Sequence, residues 1–232
     1  MAKAGTQKTA GGDRRATGSG VAAADGCSAE NAHAAAGATL AYYAANAEAF
    51  ASSTASIEFS AVQERFEALL EPGARVLDFG CGSGRDAKRF AEAGFAVDAV
   101  DGSPELCRIA AEFTGLPVRC MRFEELSAVA EYDGIWACSS ILHVPSAQLP
   151  ALLTSMAVAL RDDGVIYTSF KYGEGEGMRH GRYFSDFTEE TFARLLDQVP
   201  VLREEDHWVS ADVRPGREDE RWLNVILRKV RV

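Results

Sequence analysis

The chain has 232 residues, 47% of them hydrophobic, and a formal net charge of −10 at pH 7. This length and apolar content suit one α/β domain with an extension, whereas the acidic balance argues against general nucleic-acid binding, which requires a basic surface. The sequence has no run of about 18 apolar residues and no apolar secretion signal after Met1, so we expect a cytoplasmic protein without a membrane span.

The five cysteines and four histidines are scattered along the chain, and no CxxC pair occurs among them. A disulfide framework would need paired spacings, and a zinc site would need clustered ligands. We therefore predict neither a disulfide framework nor a metal site.

Residues 1–38 consist mostly of Ala, Gly, Ser and Thr and contain almost no large apolar side chains. Such a segment cannot bury enough apolar surface to offset the entropy of ordering it. We predict a disordered tail over residues 1–38, with partial helix left open for its alanine-rich part, and a folded domain over residues 39–232. The first helix of that domain is expected around Leu40 to Phe50, and a second should end before Gly73.

The stretch from Arg75 begins as a short apolar strand and then places glycine at alternate positions, Gly80, Gly82 and Gly84. The pattern becomes helical after it, and a strand that runs through glycines into a helix brings bare backbone against a ligand. A dinucleotide fingerprint would need glycine at the sixth position counted from Gly80, where this chain has Arg85. The spacing therefore argues against a nicotinamide-dependent oxidoreductase.

A second strand over residues 96–100 is expected to end at Asp101. An acidic residue at the end of the second strand of a doubly wound sheet can accept hydrogen bonds from ribose hydroxyls, and we predict that role for Asp101. Helix capping is the competing interpretation of Asp101. Ser103 is the better cap, because Pro104 follows it as the first helical residue.

The second half of the chain continues the alternation of strands and helices. Its strands are expected over residues 118–122, 132–138, 165–170, 201–209 and 222–230, with the last two antiparallel. The loop after the fourth strand carries His143 at the edge of the sheet where ligands bind, although capping or packing of the next helix would also explain it. Glycine and charge alternate over residues 171–184, where we predict a flexible lid, with a solvated loop as the alternative.

These motifs resemble those of the class I S-adenosylmethionine (SAM)-dependent methyltransferases, small bacterial members labelled tellurite-resistance-like included. The resemblance rests on Asp78-x-Gly-x-Gly-x-Gly84, Asp101-Gly-Ser103, residues 135–140 and the 171–183 loop, and it covers residues 39–232. It implies an α/β, Rossmann-like doubly wound sheet of seven strands in the order 3-2-1-4-5-7-6, with a C-terminal antiparallel hairpin. It also implies SAM as the cofactor and S-adenosyl-L-homocysteine (SAH) as its product.

The resemblance further implies where the cofactor binds. Many relatives carry Asp where this chain has Arg122, and that departure leaves the adenine edge to the Phe123 backbone, with Glu124 as a side-chain acceptor. A solvated turn is the competing interpretation of Glu124. The cofactor-binding residues expected on this basis are Tyr43, Asp78, Phe79, Gly80, Cys81, Gly82, Asp101, Gly102, Ser103, Phe123, Glu124 and Cys138.

The implied reaction is methyl transfer from SAM to a small soluble acceptor by direct in-line displacement. A hydroxyl or ammonium acceptor needs a base, for which His143 or Tyr183 is expected, whereas Arg182, with Lys171 and Arg179, would hold an anionic acceptor. A non-catalytic SAM- or SAH-binding protein that acts through protein contacts is the alternative function. We expect a monomer or homodimer, with no nucleic-acid or membrane partner.

Overall fold

The computed structural model describes residues 1–2, 29–214, 216–217 and 219–231, and only the backbone of residues 29–32. Helices and strands alternate through most of this length. The helices are α1 (Ala29–Thr54), α2 (Ser60–Glu67), α3 (Arg85–Glu92), α4 (Pro104–Thr114), α5 (Leu149–Ala159) and α6 (Glu189–Leu196). The strands are β1 (Arg75–Phe79), β2 (Ala96–Asp101), β3 (Val118–Cys120), β4 (Tyr132–Ala137), β5 (Leu160–Lys171), β6 (Glu176–Arg179), β7 (Arg182–Ser185), β8 (Leu202–Ala211) and β9 (Arg221–Lys229).

Seven of the strands form one sheet in the order β3-β2-β1-β4-β5-β9-β8. The first five pair in parallel, and β9 pairs antiparallel with both β5 and β8. The predicted order is confirmed, and its last two strands are numbered 9 and 8 only because the separate β6–β7 hairpin precedes them. Among the described residues, no helix is long and apolar enough to cross a membrane.

Both faces of the sheet are covered, so its central strands consist almost entirely of buried residues. On one face, Trp136 of β4 stacks on Tyr167 of β5 with ring centroids 4.1 Å apart, and Phe66 and Phe90 pack against Trp136 from α2 and α3. The other face buries a larger apolar cluster that includes Phe79, Ile135, Leu153 and Phe170. The carboxyl edge of the parallel strands is left for a ligand.

Helix α1 begins earlier than the sequence predicted. It runs over 26 residues from Ala29, inside the segment expected to be a tail, and Ala35 and Thr39 are buried. Alanine has the highest helix propensity, and α1 gains further stability by packing against α4 and β7. Residues 29–38 are therefore helical, as the prediction left open for the alanine-rich part of the tail, and residues 3–28 lie outside the described residues.

The stretch expected to be a flexible lid is a β-hairpin instead. Strands β6 and β7 pair antiparallel, and the two residues between them, His180 and Gly181, have φ values of 50° and 79°. Two positive φ values in a two-residue loop are the signature of a type I′ turn, whose twist matches that of the strands it joins. Because Gly181 supplies one of these positions, glycine directs the chain into a regular turn here.

Candidate functional site

A cavity of about 760 Å³ lies at the carboxyl edge of the parallel strands. Helix α1 borders it through Thr39, Leu40 and Tyr43, and the loops after β1, β2 and β4 form its opposite side. Its volume lies within the range of about 300–1,000 Å³ that is usual for small-molecule sites. The remaining sides come from the ends of β5 and β8 and from the β7 strand of the hairpin.

The glycine loop after β1 brings backbone directly to this cavity. Gly80 has φ +88°, and a Cβ built on it would lie 2.5 Å from Ser140 Cβ, so no larger residue fits without a shift. Gly82 has φ +56°, and its added Cβ would lie 3.1 Å from the Phe50 ring of α1. Gly80, Cys81 and Gly82 all line the cavity, as predicted for a loop that approaches a ligand with its main chain.

Asp101 lies at the end of β2 and lines the cavity beside this loop. Its two carboxylate oxygens accept hydrogen bonds from the Gly82 and Ser103 N–H groups, both at 2.9 Å. Burial raises the pKa of Asp101, against the opposing effect of these backbone donors. The bonds fix the carboxylate, and its remaining lone pairs can accept from hydroxyls of a ligand.

Other expected cofactor residues lie beneath the loop and outside the cavity lining. Asp78 is 2% exposed, Phe79 is fully buried, and Asp78 Oδ2 has no hydrogen-bond partner in the described part of the chain. Burial, with Asp86 as the next cause, raises the pKa of Asp78 well above its ordinary value. Ser103 is 1% exposed, and its Oγ accepts the Leu106 N–H as the cap of α4, as predicted.

The far end of the cavity is lined by Met121, Phe123 and Glu124, which follow β3. The Phe123 ring packs on Phe79 at 4.8 Å between centroids, while the Glu124 side chain is 63% exposed. These positions permit the predicted adenine contacts, but the solvated alternative for Glu124 stays open.

Gly102 and Cys138 also line the cavity. A Cβ on Gly102 would lie 2.7 Å from Leu40 Cδ2, so α1 is seated directly on this glycine. Burial raises the pKa of the Cys138 thiol to about 12, which keeps it protonated and unreactive at neutral pH.

Tyr43 and His143 form a hydrogen-bonded pair on the cavity wall. The Tyr183 carbonyl lies 2.5 Å from His143 Nδ1, and because a carbonyl only accepts, Nδ1 carries the proton. The neutral ring then leaves Nε2 to accept the Tyr43 hydroxyl proton at 2.9 Å. Burial lowers the pKa of His143 to about 4, with Arg182 and Arg179 acting in the same direction, so the imidazole is neutral at pH 7.

The hairpin places Arg182 in the cavity lining, whereas the side chains of Arg179 and Tyr183 lie outside that lining. Arg182 lines the cavity, and its Nη1 lies 3.5 Å from the Tyr43 hydroxyl. Tyr183 contributes its backbone to His143, whereas its hydroxyl donates to Glu176 Oε1 at 2.8 Å outside the cavity lining. Arg179 forms an ion pair with Asp186 and is likewise absent from the lining.

A further cluster, which the sequence did not predict as a unit, lies around Asp212 after β8. The Asp212 side chain is 2% exposed and accepts hydrogen bonds from Arg214 Nε at 2.8 Å and from Trp222 Nε1 at 3.0 Å. Lys171, at the end of β5, lies 3.4 Å from the same carboxylate and forms an ion pair with Glu220. Although burial opposes it, the bonds from Arg214 and Trp222 hold the pKa of Asp212 well below its usual range.

A signal for this cluster was present in the sequence. The antiparallel pairing of β9 with β5 puts Lys171 opposite Trp222, so the β8–β9 connection lies at the carboxyl edge of the sheet. Its polar residues lie at the ligand-binding edge for that reason.

The chain is similar to known methyltransferases over its central part. Residues 76–164, less than half of the chain, match a family model described as a methyltransferase domain. The ubiquinone biosynthesis O-methyltransferase of Xanthomonas axonopodis pv. citri is 34% identical over 114 residues, 46% of this chain and 47% of the relative. That of Xylella fastidiosa is 35% identical over 104 residues, 42% of either chain. The chain therefore spans less than half the length of these curated relatives.

The solved structures show similarity over a larger share of the chain. The 1,6-didemethyltoxoflavin-N1-methyltransferase of Burkholderia thailandensis, with 1,6-didemethyltoxoflavin and SAH bound, has a TM-score of 0.69 and 26% identity. The alignment covers 86% of this chain and 91% of that one. A SAM-dependent methyltransferase of Methanosarcina mazei has a TM-score of 0.63 at 15% identity, covers 75% of this chain and 99% of that one, and shows the shared fold alone.

The sheet order, the glycine loop and these similarities together define a class of domain. The described part of the chain has the class I SAM-dependent methyltransferase fold. Residues 76–164 within it match the family model described as a methyltransferase domain. The residues present fit the cofactor of this class, because the Gly80–Gly82 backbone is open to the cavity and Asp101 presents a fixed carboxylate beside it.

Proposed function

We propose that this chain transfers a methyl group from SAM to a small-molecule acceptor. The observation that carries the proposal is a single cavity of about 760 Å³ that joins two different sets of groups. One set, with Asp101 and the glycine loop, suits the cofactor, and the other, with Tyr43, His143 and Arg182, suits a second molecule. A site for two reactants in contact is what a group-transfer enzyme requires.

The cofactor would be held by residues whose positions are already fixed. Asp101 would accept hydrogen bonds from the ribose hydroxyls of SAM, and the Gly80–Gly82 main chain would lie along its amino-acid portion. Phe123 and Glu124 would border the adenine. When bound, SAM supplies an electrophilic methyl group on a sulfonium. The protein needs to contribute alignment and exclusion of water, for which proximity alone can provide roughly 7–11 kcal/mol of the barrier.

The acceptor is proposed to be a small aromatic or heteroaromatic molecule with an oxygen or nitrogen nucleophile. Tyr43, Phe184 and Trp222 contribute aromatic rings to the lining of the second part of the cavity. The relatives point the same way, since their names describe O-methylation in ubiquinone biosynthesis and N-methylation of a toxoflavin precursor. The resemblance to the tellurite-resistance-like group stays a prediction, and this acceptor class does not depend on it.

Displacement is proposed to occur in line, with the acceptor held on the His143 side of the cavity. Tyr43 would orient the acceptor while its own proton points into His143 Nε2. Burial raises the pKa of the Tyr43 phenol, against the opposing effect of Arg182, so the hydroxyl stays protonated at neutral pH. In this arrangement His143 is a positioning residue for Tyr43, and the role of base expected for His143 or Tyr183 is not needed.

Calorimetric titration with SAH tests the cofactor half of this proposal. Asp101→Ala removes acceptors for the ribose, and hydrogen bonds to a charged group are worth about 1.5–3 kcal/mol, so SAH affinity should fall by roughly 10- to 100-fold. Glu112→Ala is the matched control, because Glu112 is an exposed carboxylate on neighbouring α4 that pairs only with Arg108 in the described structure. Equal affinity in the wild type and Asp101→Ala would contradict the assignment.

Turnover separates an enzyme from the non-catalytic binding protein. Wild-type protein incubated with SAM and a panel of phenols and nitrogen heterocycles should release SAH in step with a methylated product, measured by mass spectrometry. Tight SAM binding without SAH release from any acceptor would favour the alternative function. The oligomeric state, monomer or homodimer, stays a prediction.

A further inference from the structure

Arg182 stands out among the cations of the cavity because no acidic side chain pairs with it. Within the described part of the chain, no carboxylate lies within 4.0 Å of its guanidinium, and its buried Nε has no hydrogen-bond partner. The group instead lies over aromatic rings, 4.5 Å from the Tyr42 centroid and 5.1 Å from that of Phe184. A partly buried cation with an unused donor is costly unless an anion completes its surroundings.

The other cations that line the cavity already have acidic partners. Lys171 pairs with Glu220 and Asp212, and Arg214 pairs with Asp212. Arg217, which is more exposed, lies 3.6 Å from Glu220. These three cations share two carboxylates, so each of them has an acidic partner, whereas Arg182 has none among the described residues.

Tyr43 and His143, which lie beside Arg182 on the cavity wall, are not suited to removing a proton at neutral pH. The Tyr43 hydroxyl directs its proton into His143, and both ring nitrogens of His143 are engaged. Asp101 is fixed by the backbone of the cofactor loop, and its remaining lone pairs are assigned to the ribose. A nucleophile bound against Arg182 would therefore find no proton acceptor in these three side chains and would bind already deprotonated.

We propose that the acceptor binds as an anion, a phenolate or the deprotonated form of an acidic nitrogen heterocycle, with its charge against Arg182. This inference rests on the proposed function and names its substrate class. The proton leaves the acceptor to solvent before binding. The anionic atom then forms the bond to the methyl carbon as the carbon–sulfur bond breaks, and the sulfur keeps the electron pair, so anion and sulfonium become two neutral products.

The ionisation of 4-nitrophenol bound to SAH-saturated protein tests this proposal. The phenolate absorbs at longer wavelength than the phenol, so a pH titration of the absorbance gives the pKa of the bound molecule directly. An opposite charge close by lowers an acid's pKa by about 1–3 units, and we expect a shift of that size on wild-type protein. The readout does not require methyl transfer to occur.

Variants on the same hairpin identify the source of the shift. Arg182→Gln and Arg182→Met should both abolish it, and Arg182→Lys, which keeps the charge, should retain part of it. Arg179→Gln is the matched control, since Arg179 carries the same charge on the same hairpin but pairs with Asp186 outside the cavity lining, and it should keep the shift.

Each protein is first titrated with SAH alone, which distinguishes the two proposals. Absence of SAH binding by the wild type would contradict the proposed function. Normal SAH binding would instead overturn the anionic-acceptor inference if it came with an unshifted nitrophenol pKa, a shift that survives in either neutral variant, or no nitrophenol binding at all. Two neutral variants are included so that misfolding of one still leaves the other to decide.

Discussion

Gly80 and Gly94 adopt nearly the same backbone conformation in different surroundings. Their φ values are +88° and +92°, but an added Cβ at Gly80 would lie 2.5 Å from Ser140 Cβ, whereas nothing lies within 4 Å of one at Gly94. A comparison of the two glycines therefore separates the free-energy cost of a left-handed backbone conformation from the cost of a steric clash between an added Cβ and its neighbours. Only Gly80 lines the cavity.

Alanine at each glycine should show this separation. The left-handed conformation costs about 1–2 kcal/mol for a residue with a side chain, so Gly94→Ala should lower the free energy of unfolding by that amount. Gly80→Ala should lose a further 1–3 kcal/mol or so from overpacking and should also weaken SAH binding. Urea unfolding and calorimetry measure the two effects, and equal losses at both positions would refute the argument from space.

At the scale of secondary-structure elements, much of the sheet could be predicted from the sequence. Two βα units could be predicted from apolar runs, one of which ends in the Gly80–Gly84 loop and the other at Asp101. The start of helix α4 could be predicted from Ser103 and Pro104. Local patterns suffice here because β1, β2 and β4 are each followed by a crossover helix, α3, α4 and α5. The functional loops then follow from the strand ends.

The N-terminal part of α1 and the β6–β7 hairpin escaped prediction because their stability comes from distant contacts. Helix α1 has no marked apolar face, and it packs against α4 and β7, which are far away in sequence. The β6–β7 hairpin depends on a turn made by His180 and Gly181, and glycine-rich charged sequence gives no periodic signal for a strand. The Tyr43–His143 bond joins α1 to the loop after β4, across 100 residues of sequence, and could not be predicted from spacing.

The buried carboxylate of Asp86 in α3 forms bonds with residues of α2 and β4, and it can be compared with the more exposed carboxylate of Asp98. Its carboxylate accepts from Gln63 of α2 at 2.7 Å and from Trp136 of β4 at 2.8 Å, and it pairs with Arg85 at 2.7 Å. Asp98 also pairs with an arginine at 2.7 Å, but its side chain is 30% exposed and that of its partner 43%. The two carboxylates thus differ mainly in burial and in the number of donors.

Removal of each carboxylate should give very different losses of stability. Asp86→Ala leaves buried donors and a buried guanidinium without their acceptor, a change that typically costs about 3–5 kcal/mol. Asp98→Ala breaks a largely solvated pair and should cost no more than about 1 kcal/mol. Urea denaturation at pH 7 measures both, and losses of similar size would show that Asp86 does not join α2, α3 and β4 as described.

At the scale of the whole molecule, titratable groups in the cavity wall and directly beneath it have pKa values shifted away from their ordinary ones. Burial raises the pKa of Asp78, Asp101 and Tyr43 and lowers that of His143. The [4+2]-cyclase among the similar structures, at a TM-score of 0.55 and 17% identity, shares this fold, so the fold alone does not fix the chemistry. The arrangement of charged and neutral groups around the cavity is what distinguishes one member from another.

The neutral state of His143 should appear in the pH dependence of global stability. The pKa of His143 is about 4 in the folded protein, against an ordinary value of 6.5. Between these two pH values His143 is therefore protonated in the unfolded chain and neutral in the folded protein. The contribution of neutral His143 to the free energy of unfolding is fully present above pH 6.5. It is lost as the pH falls toward 4, by up to about 1.4 kcal/mol per pH unit. Below that window the loss should level off.

His143→Gln isolates this contribution, because glutamine does not titrate and can still form hydrogen bonds with its neighbours. The free energy of unfolding, measured with urea at intervals from pH 7 to 4.5, should fall more steeply for wild type than for His143→Gln. Other titrating groups, Asp78 and Asp101 included, are common to both proteins and largely cancel in the difference. Parallel curves would mean that His143 takes up its proton over the same pH range in the folded and the unfolded protein, and the lowered pKa of His143 would then have to be abandoned.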